Sequence, residues 1–162
     1  MHILMCNDDG ILADGLRRLA SYLSQYYRIT VVAPANEQSA KSHALTTEIP
    51  LKLDAYNGED ENPRLYALTG TPSDCMKFGL SYLLSDDMPD LVISGINHGF
   101  NLGSDVLYSG TVSAAMESCF YGIPGLALSV ERYSPERGDE MHPFIHELID
   151  KIYVKGQFDG LL

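Results

Sequence analysis

The 162-residue chain has few basic residues. Its 11 Lys and Arg residues are outnumbered by 22 Asp and Glu residues, which gives a formal net charge of −11. Proteins that bind nucleic-acid polymers neutralise phosphates with a basic face. The charge therefore argues against such a partner, and an anionic small ligand would need a local metal ion or helix N-terminus to offset the repulsion.

Cysteines and long apolar runs are also scarce. The three cysteines, Cys6, Cys75 and Cys119, cannot all pair within one chain, and each lies in an apolar stretch, which predicts reduced, buried thiols. No apolar run approaches the roughly 20 residues of a membrane-spanning helix. The N-terminus reaches Asp8 and Asp9 without the basic segment of a signal peptide. With 45% apolar residues to fill a core, the sequence predicts a cytoplasmic globular protein without a membrane partner.

Short apolar runs alternate with helical periods along the chain. Buried strands are predicted at residues 2–6, 29–33, 65–68, 91–93 and 126–130, and an extended segment at 44–53. Helices are predicted at 16–23 with Asp14 as N-cap, at 72–83 with a capping box from Thr71 to Asp74, at about 111–121 and at 143–153. A loop rich in Gly and Asn spans 96–110. This alternation predicts a single α/β domain with a Rossmann-like, mostly parallel sheet and helices on both faces.

Polar side chains gather just past the carboxyl ends of the predicted strands. They are Asp8 and Asp9 after the first strand, Asn36 and Ser39 after the second, Thr69 and Gly70 after a later one, and Asn97 and Asn101 after residues 91–93. Ligands of open α/β sheets bind at that edge. We therefore expect one site wherever the strand order brings these loops together.

Asp8 and Asp9 are the sharpest feature of the sequence. Two adjacent carboxylates at the end of a buried strand repel each other and lose solvation, and a hard divalent cation such as Mg²⁺ or Mn²⁺ would compensate them. Asn97 could add a neutral carbonyl ligand. The alternative is an ordinary exposed Asp-Gly turn, because Asp-Asp-Gly is common turn chemistry.

Ser109, Gly110 and Thr111 open a helix after the Gly-rich loop. Backbone N–H groups, the helix dipole and two hydroxyls suit a phosphate, and no Lys or Arg lies between Lys77 and Arg132 to bind it instead. The alternative is routine N-capping by Ser109. On the phosphate interpretation, a Gly110→Val change should weaken phosphate binding and leave metal affinity almost unchanged.

Other chemical signatures are weak or absent. The chain has no G-x-G-x-x-G and no Walker Gly-Lys-Ser/Thr, so the fingerprints of dinucleotide binding and of P-loop phosphoryl transfer are missing. His142 and His146 are spaced i, i+4, but the Glu follows the second His, so the zincin pattern fails and a solvated helix face is predicted. His98 or His43 could donate a proton to a leaving oxygen.

Taken together, these segments resemble the SurE family of stationary-phase survival nucleotidases. The matching stretches, in chain order, are 7–11 (NDDGI), 32–34 (VAP) with 38–40 (QSA), 70–74 (GTPSD), 94–103 (SGINHGFNLG), and 108–112 (YSGTV) with 114–117 (AAME). Each stretch alone is a weak signal, but five in family order are highly specific.

The resemblance implies a divalent-metal-dependent phosphatase acting on nucleoside 5′-monophosphates and, in part of the family, 3′-monophosphates. It implies one metal ion, Mg²⁺ or Mn²⁺, held by Asp8, Asp9, Ser39 and Asn97, with Asp8 and Asp9 as catalytic residues. It further implies substrate contacts from four residues, namely Asn101, Ser109, Gly110 and Thr111. Family members are longer and use a C-terminal region to form dimers or tetramers. This chain ends at Leu162, so we expect a weaker or absent oligomer.

The expected reaction is metal-assisted hydrolysis of a phosphomonoester, with the metal polarising the phosphate and activating water. Ser109 and Thr111 would neutralise charge on the equatorial oxygens. The nucleophile is either that water or an Asp carboxylate. A response-regulator receiver is a rival, but Ser94-Gly95 and the Ser129–Glu131 strand end lack its acceptor Asp and its Lys. A non-catalytic nucleotide-binding domain is a third hypothesis.

Overall fold

A computed structural model describes residues 1–58 and 60–154. Its strands are β1 (His2–Cys6), β2 (Arg28–Pro34), β3 (Leu53–Ala55), β4 (Arg64–Leu68), β5 (Leu91–His98) and β6 (Gly125–Val130). Its α-helices are α1 (Asp14–Leu23), α2 (Pro72–Phe78), α3 (Gly110–Cys119) and α4 (Pro135–Val154). A π-helical turn (Gly79–Leu83) continues α2, and a 3-10 helix (Gly103–Tyr108) precedes α3.

The six strands form one sheet in the order β3-β4-β2-β1-β5-β6. All neighbouring pairs are parallel except β3 with β4, which is antiparallel at the edge. The central position of β1 places the loops after β1, β2 and β5 side by side at the carboxyl edge of the sheet. The prediction of a mostly parallel α/β sheet is confirmed.

Side chains of β1 point alternately into two cores. Ile3 and Met5 pack with residues of α1 and α4, whereas Leu4 and Cys6 pack with residues of α2 and α3. This is the period-two alternation of a strand buried on both faces. Helices therefore cover both faces of the sheet, as predicted. No helix in the described ranges is long and apolar enough to cross a membrane.

Several element boundaries differ from the sequence predictions. The helix predicted from Pro143 begins at Pro135, so that Pro143 lies inside α4. Proline at an internal position loses one backbone hydrogen bond, but Ile145 and Ile149 are buried against α1 and hold the helix on the sheet. The extended segment predicted at 44–53 is a strand only at β3, from Leu53.

The N-cap predictions were right at two helices and wrong at one. Thr71 and Asp74 form the complete capping box of α2, and the Ser109 hydroxyl accepts the N–H of Val112 at the start of α3. Asp14 is the first residue of α1 rather than its N-cap, because Ala13 occupies that position without a side-chain bond. The Asp14 carboxylate still lies in the first turn, where the helix dipole favours a negative charge.

Strand β5 continues to His98, beyond its predicted end at residue 93, because Gly95 accommodates an irregularity in the strand. The register of β5 against β6 shifts between Ser94 and Asn97. Gly95 has a φ of 127°, and a Cβ there would overlap the carbonyl oxygen of Leu128. Only glycine fits this close approach. Beyond the shift the strand resumes with Asn97 opposite Ser129, and this register brings Asn97 to the carboxyl edge.

Candidate active site

A cavity of about 500 Å³ lies at the carboxyl edge of β1, β2 and β5. The residues that line it are Asp8, Asp9, Glu37, Ser39, Ala40, Asn97, His98, Asn101, Asp105, Tyr108 and Ser109. Six of the eight residues predicted for the site are in this set. The other two, Gly110 and Thr111, lie directly behind Asp8. The strand order thus brings all eight into one place.

Asp8 is buried and fixed from two sides. Its side chain is 7% exposed, and the Thr111 hydroxyl donates to its Oδ1 at 2.6 Å. The backbone N–H of Gln38 donates to its carbonyl oxygen at 2.8 Å. Burial raises the pKa of Asp8, and the Thr111 hydrogen bond opposes this by favouring the carboxylate. In this structure the Thr111 hydroxyl therefore orients Asp8 and favours its ionised form.

Asp9 is the more strongly perturbed of the two carboxyl groups. Burial, together with the negative charges of Asp8 and Glu37, raises the pKa of Asp9 from 3.8 to about 6. His98 on the cavity wall partly opposes the shift. Ionising Asp9 beside Asp8 is unfavourable because both negative charges are partly buried. A nearby cation would favour the ionised forms of both side chains.

Glu37 and Ser39 enter the cavity from the loop after β2. The Ser39 hydroxyl donates to Glu37 Oε1 at 2.6 Å, so the hydroxyl proton faces Glu37 and the oxygen lone pairs are available to a cation. Sequence reasoning missed Glu37 as a site residue. Its only signal was its place, two residues before Ser39 in the polar loop after a buried strand.

Two asparagines complete the polar lining. Asn97 donates through Nδ2 to the carbonyl oxygen of Gly99 at 2.9 Å, which leaves the side-chain oxygen Oδ1 for a ligand. Asn101 donates through Nδ2 to Ser129 Oγ at 2.7 Å. Both side chains are half-buried. Each amide orientation is thus set by a short hydrogen bond to a neighbouring strand or loop.

Gly110 allows α3 to pack against Asp8. A Cβ at position 110 would lie 2.9 Å from the Cβ of Asp8 and 3.1 Å from Cγ of Pro72. Real Cβ atoms do not approach so closely, so a side chain here would displace Asp8. The premise that Gly110→Val touches no predicted metal ligand is therefore wrong, and we now expect the substitution to weaken metal binding as well as phosphate binding.

The cavity is strongly acidic. Asp8, Asp9, Glu37 and Asp105 line it, and no Lys or Arg does so within the described ranges. Over the same residues, no three His, Cys, Asp or Glu side chains converge closely enough to hold a metal by themselves. A cation here would therefore need hydroxyl or amide oxygens beside the two Asp carboxylates. Oxygen-only ligand sets of this kind suit Mg²⁺ or Mn²⁺.

The remaining histidines are more enclosed than predicted. His142 is 3% exposed, with its ring 5.1 Å from that of Tyr22, and the His146 ring stacks 4.0 Å from that of Tyr26. The prediction of a solvated face is wrong because the tyrosines of α1 and its following turn pack on α4. Nε2 of His43 lies 2.6 Å from Oε2 of the buried Glu117 carboxylate.

Two of the three cysteines match the prediction. Cys6 and Cys75 are buried and free, whereas Cys119 is free but exposed at the end of α3. The prediction of burial fails for Cys119 because it lies on the outer face of α3, three residues after the exposed Met116 and next to Phe120, which is 74% exposed.

The chain matches one protein family over almost its whole length. The family model described as Survival protein SurE matches residues 3–159. The 5′-nucleotidase SurE of Thermoanaerobacter sp. (strain X514) is 49% identical over 156 residues, which are 96% of this chain and 61% of that protein. The 5′-nucleotidase SurE of Caldanaerobacter subterraneus is 48% identical over 155 residues, 95% of this chain and 60% of that protein.

A solved structure gives the same result. The crystal structure of SurE protein from Aquifex aeolicus superposes with a TM-score of 0.78 at 37% identity, covering 93% of this chain and 61% of that one. The chain spans about three fifths of the length of these relatives. The matched region includes every element that lines the cavity. The chain therefore belongs to the SurE family.

Proposed function

We propose that this protein is a divalent-metal-dependent phosphomonoesterase that hydrolyses nucleoside 5′-monophosphates, with 3′-monophosphates as a second class of substrate. One observation carries the proposal. Asp8 and Asp9 share a cavity with Ser39 and Asn97, and no Lys or Arg of the described residues lines that cavity to balance their charge. The name 5′-nucleotidase SurE carried by relatives at 48–49% identity supports the substrate class.

The residues present fit a divalent cation. Asp8 and Asp9 offer carboxylate oxygens, Ser39 a hydroxyl oxygen and Asn97 the amide Oδ1 left over from its bond to Gly99. Burial raises the pKa values of both carboxyl groups when no cation balances them. When bound, the cation supplies the positive charge that offsets these carboxylates and polarises the phosphoryl group.

The chain's own residues then position the substrate. The Thr111 hydroxyl holds Asp8 in one orientation, and the preorganised carboxylate costs no rearrangement during the reaction. The N-terminus of α3, with Ser109 at its cap, lies beside the same cavity and presents a positive dipole end to the phosphate oxygens. His98 on the wall is the imidazole placed to give a proton to the departing ribose oxygen.

We place this activity in the cytoplasm. Cys6 and Cys75 are buried as free thiols, and disulfides are rare where thiols are kept reduced.

Release of inorganic phosphate from a panel of nucleoside monophosphates tests the proposal. With Mg²⁺ or Mn²⁺ present, 5′-monophosphates should be hydrolysed fastest, and excess EDTA should abolish release until metal is restored. A chain that binds metal and releases no phosphate from any nucleotide would be a nucleotide-binding domain instead. Hydrolysis that persists unchanged in EDTA would exclude the metal-dependent mechanism.

A further inference from the structure

The loop between β2 and β3 contributes to the acidic cavity although its residues, 35–52, all of them described, include no helix or strand. Ser39 and Ala40 of this loop line the cavity. The Ser39 hydroxyl donates to Glu37, which belongs to the same loop, so this bond does not tie Ser39 to the sheet or to a helix. The position of Ser39 therefore depends on the contacts that the loop makes before and after it.

The backbone on either side of Ser39 is held from outside the loop. Before it, the N–H of Gln38 donates to the carbonyl oxygen of Asp8 at 2.8 Å. After it, Ala40 has a φ of 56° and Ser42 a φ of 51°. Residues other than glycine adopt this left-handed conformation at a cost in free energy, and they keep it where surrounding contacts impose it. The contacts made after Ser42 are therefore the ones to consider.

The loop contacts both helices that pack on one face of the sheet. On α2, Asp74 accepts from the backbone N–H of Thr46 at 2.9 Å and from its hydroxyl at 2.6 Å. On α3, Oε2 of Glu117 accepts from Nε2 of His43 at 2.6 Å. The contact between His43 and Glu117 thus links the loop to the helix whose N-terminus lies beside the acidic cavity.

Glu117 relies on His43 as its hydrogen-bond partner. Glu117 is 5% exposed, and its other neighbour, Lys77, has Nζ 4.0 Å from Oε1, beyond hydrogen-bond distance. Removing the partner of a buried carboxylate is unfavourable because the charge is then left without compensation. His43 is not among the residues that line the acidic cavity, so this contact fixes the loop without reaching the reacting atoms.

We propose that His43 and Glu117 are positioning residues, which together set the place of Ser39 relative to the N-terminus of α3. The inference rests on the proposed function and adds two residues that act through Ser39. His43 follows Ser39 by four residues, and Glu117 lies about two turns after the start of α3. One hydrogen bond to a buried carboxylate therefore holds the proposed metal ligand on the loop at a fixed separation from the proposed phosphate site on the helix. Without it, Ser39 moves away while Asp8 and Asp9 keep their places on β1.

Calorimetry with Mn²⁺ measures this effect without turnover. His43→Ala should raise the Kd for Mn²⁺ about tenfold, as loss of a residue that orients a metal ligand does. His43→Gln should restore the affinity, because the amide nitrogen of glutamine can replace Nε2 as the donor.

His146→Ala is the matched control for His43→Ala. It makes the same change at a side chain of similar exposure, 24% against 28%, on α4 at the opposite face of the sheet. Its Kd for Mn²⁺ should equal that of the unchanged chain. Unaltered Mn²⁺ affinity in His43→Ala, or an equal loss in His146→Ala, would overturn the proposal.

A double variant separates positioning from a structural role. In urea, His43→Ala should lower the free energy of unfolding, because Glu117 is left buried and unpaired. Adding Glu117→Gln removes that charge and should restore stability, but it should not restore Mn²⁺ affinity, because the hydrogen bond to the loop is still missing. If Mn²⁺ affinity recovers together with stability, the pair is only structural and the proposal is wrong.

Phosphate release separates this inference from the proposed function. With adenosine 5′-monophosphate, His43→Ala should need about tenfold more Mn²⁺ for half-maximal activity, whereas kcat at saturating Mn²⁺ should match that of the unchanged chain. A loss of kcat that excess Mn²⁺ does not restore would place His43 in the chemical step and overturn the proposal. If Mn²⁺ binding depends on His43 as expected but no nucleotide is hydrolysed, the positioning role stands and the proposed activity fails.

Discussion

Neutralising Asp9 should stabilise the metal-free protein while destroying the proposed metal site. Burial and the charges of Asp8 and Glu37 raise the pKa of Asp9 in the folded chain from 3.8 to about 6. The folded state thus binds this proton more tightly than the unfolded state does. Stability from this group is therefore full below pH 3.8 and is lost as the pH rises through 6.

The size of the effect follows from the shift. Each pKa unit is worth 1.36 kcal/mol, so a shift of about two units has a ceiling of about 3 kcal/mol. Asp9 is only partly buried, and solvent screening reduces that figure. We expect Asp9→Asn to raise the free energy of unfolding by about 1–2 kcal/mol at pH 7.5.

Urea unfolding in EDTA measures this directly. Between pH 4 and 7.5, the free energy of unfolding of the unchanged chain should fall relative to that of Asp9→Asn, with the gap widest at pH 7.5. Asp86→Asn is the control, since Asp86 is exposed and follows α2 at the opposite edge of the sheet. Saturating Mn²⁺ should reverse the order, because a ligand that binds only the folded state stabilises it. An Asp9→Asn protein that is less stable than the unchanged chain in EDTA would refute the reasoning.

Three further predictions concern residues in the first turns of α2 and α3. Burial alone would raise the pKa of Asp74, but hydrogen bonds led by Thr46 outweigh it and lower the pKa below 3.8. Asp74→Asn should therefore lower the free energy of unfolding, measured in urea at pH 7, by about 1–3 kcal/mol. This difference should vanish only as the pH falls below 3.8. Thr111→Val removes the hydrogen bond to Asp8 and should lower kcat about tenfold or more in the phosphate-release assay, with Thr111→Ser retaining most activity; equal activity of the two variants would contradict this role. Gly110→Ala crowds Asp8 and should weaken calorimetric Mn²⁺ binding as well as phosphate binding, whereas weakening of phosphate binding alone would show that Asp8 had not moved.

The parts of the fold that local patterns determine could be predicted from the sequence. Residues 2–6 form a dense apolar run that only a strand buried on both faces would bury completely, and β1 is that strand. The capping box of Thr71 and Asp74 fixes the start of α2 by local hydrogen bonds alone. The polar residues after β1, β2 and β5 converge because parallel strands end at one edge, and six of the residues that line the cavity were predicted from the sequence.

The errors arise where contacts between residues distant in sequence determine a helix boundary or the burial of a side chain. A proline such as Pro143 is typical of a helix start, but α4 begins at Pro135 and continues through Pro143 because Ile149 and its neighbours pack against α1. His142 is buried by Tyr22, which lies 120 residues earlier in the chain. Glu37 gave no motif of its own, and its place on the cavity wall depends on the pairing of β2 with β1. No periodicity within one segment carries this information.

The most direct test of a metal-dependent phosphatase centred on Asp8 is steady-state phosphate release by two matched variants. Asp8→Asn and Asp86→Asn make the same chemical change, one in the cavity and one on the exposed surface at the other edge of the sheet. With adenosine 5′-monophosphate and saturating Mn²⁺, Asp8→Asn should lose about 100-fold or more in kcat, as expected for a central electrostatic group, and Asp86→Asn should stay within twofold. Near-normal turnover by a folded Asp8→Asn protein would contradict the account.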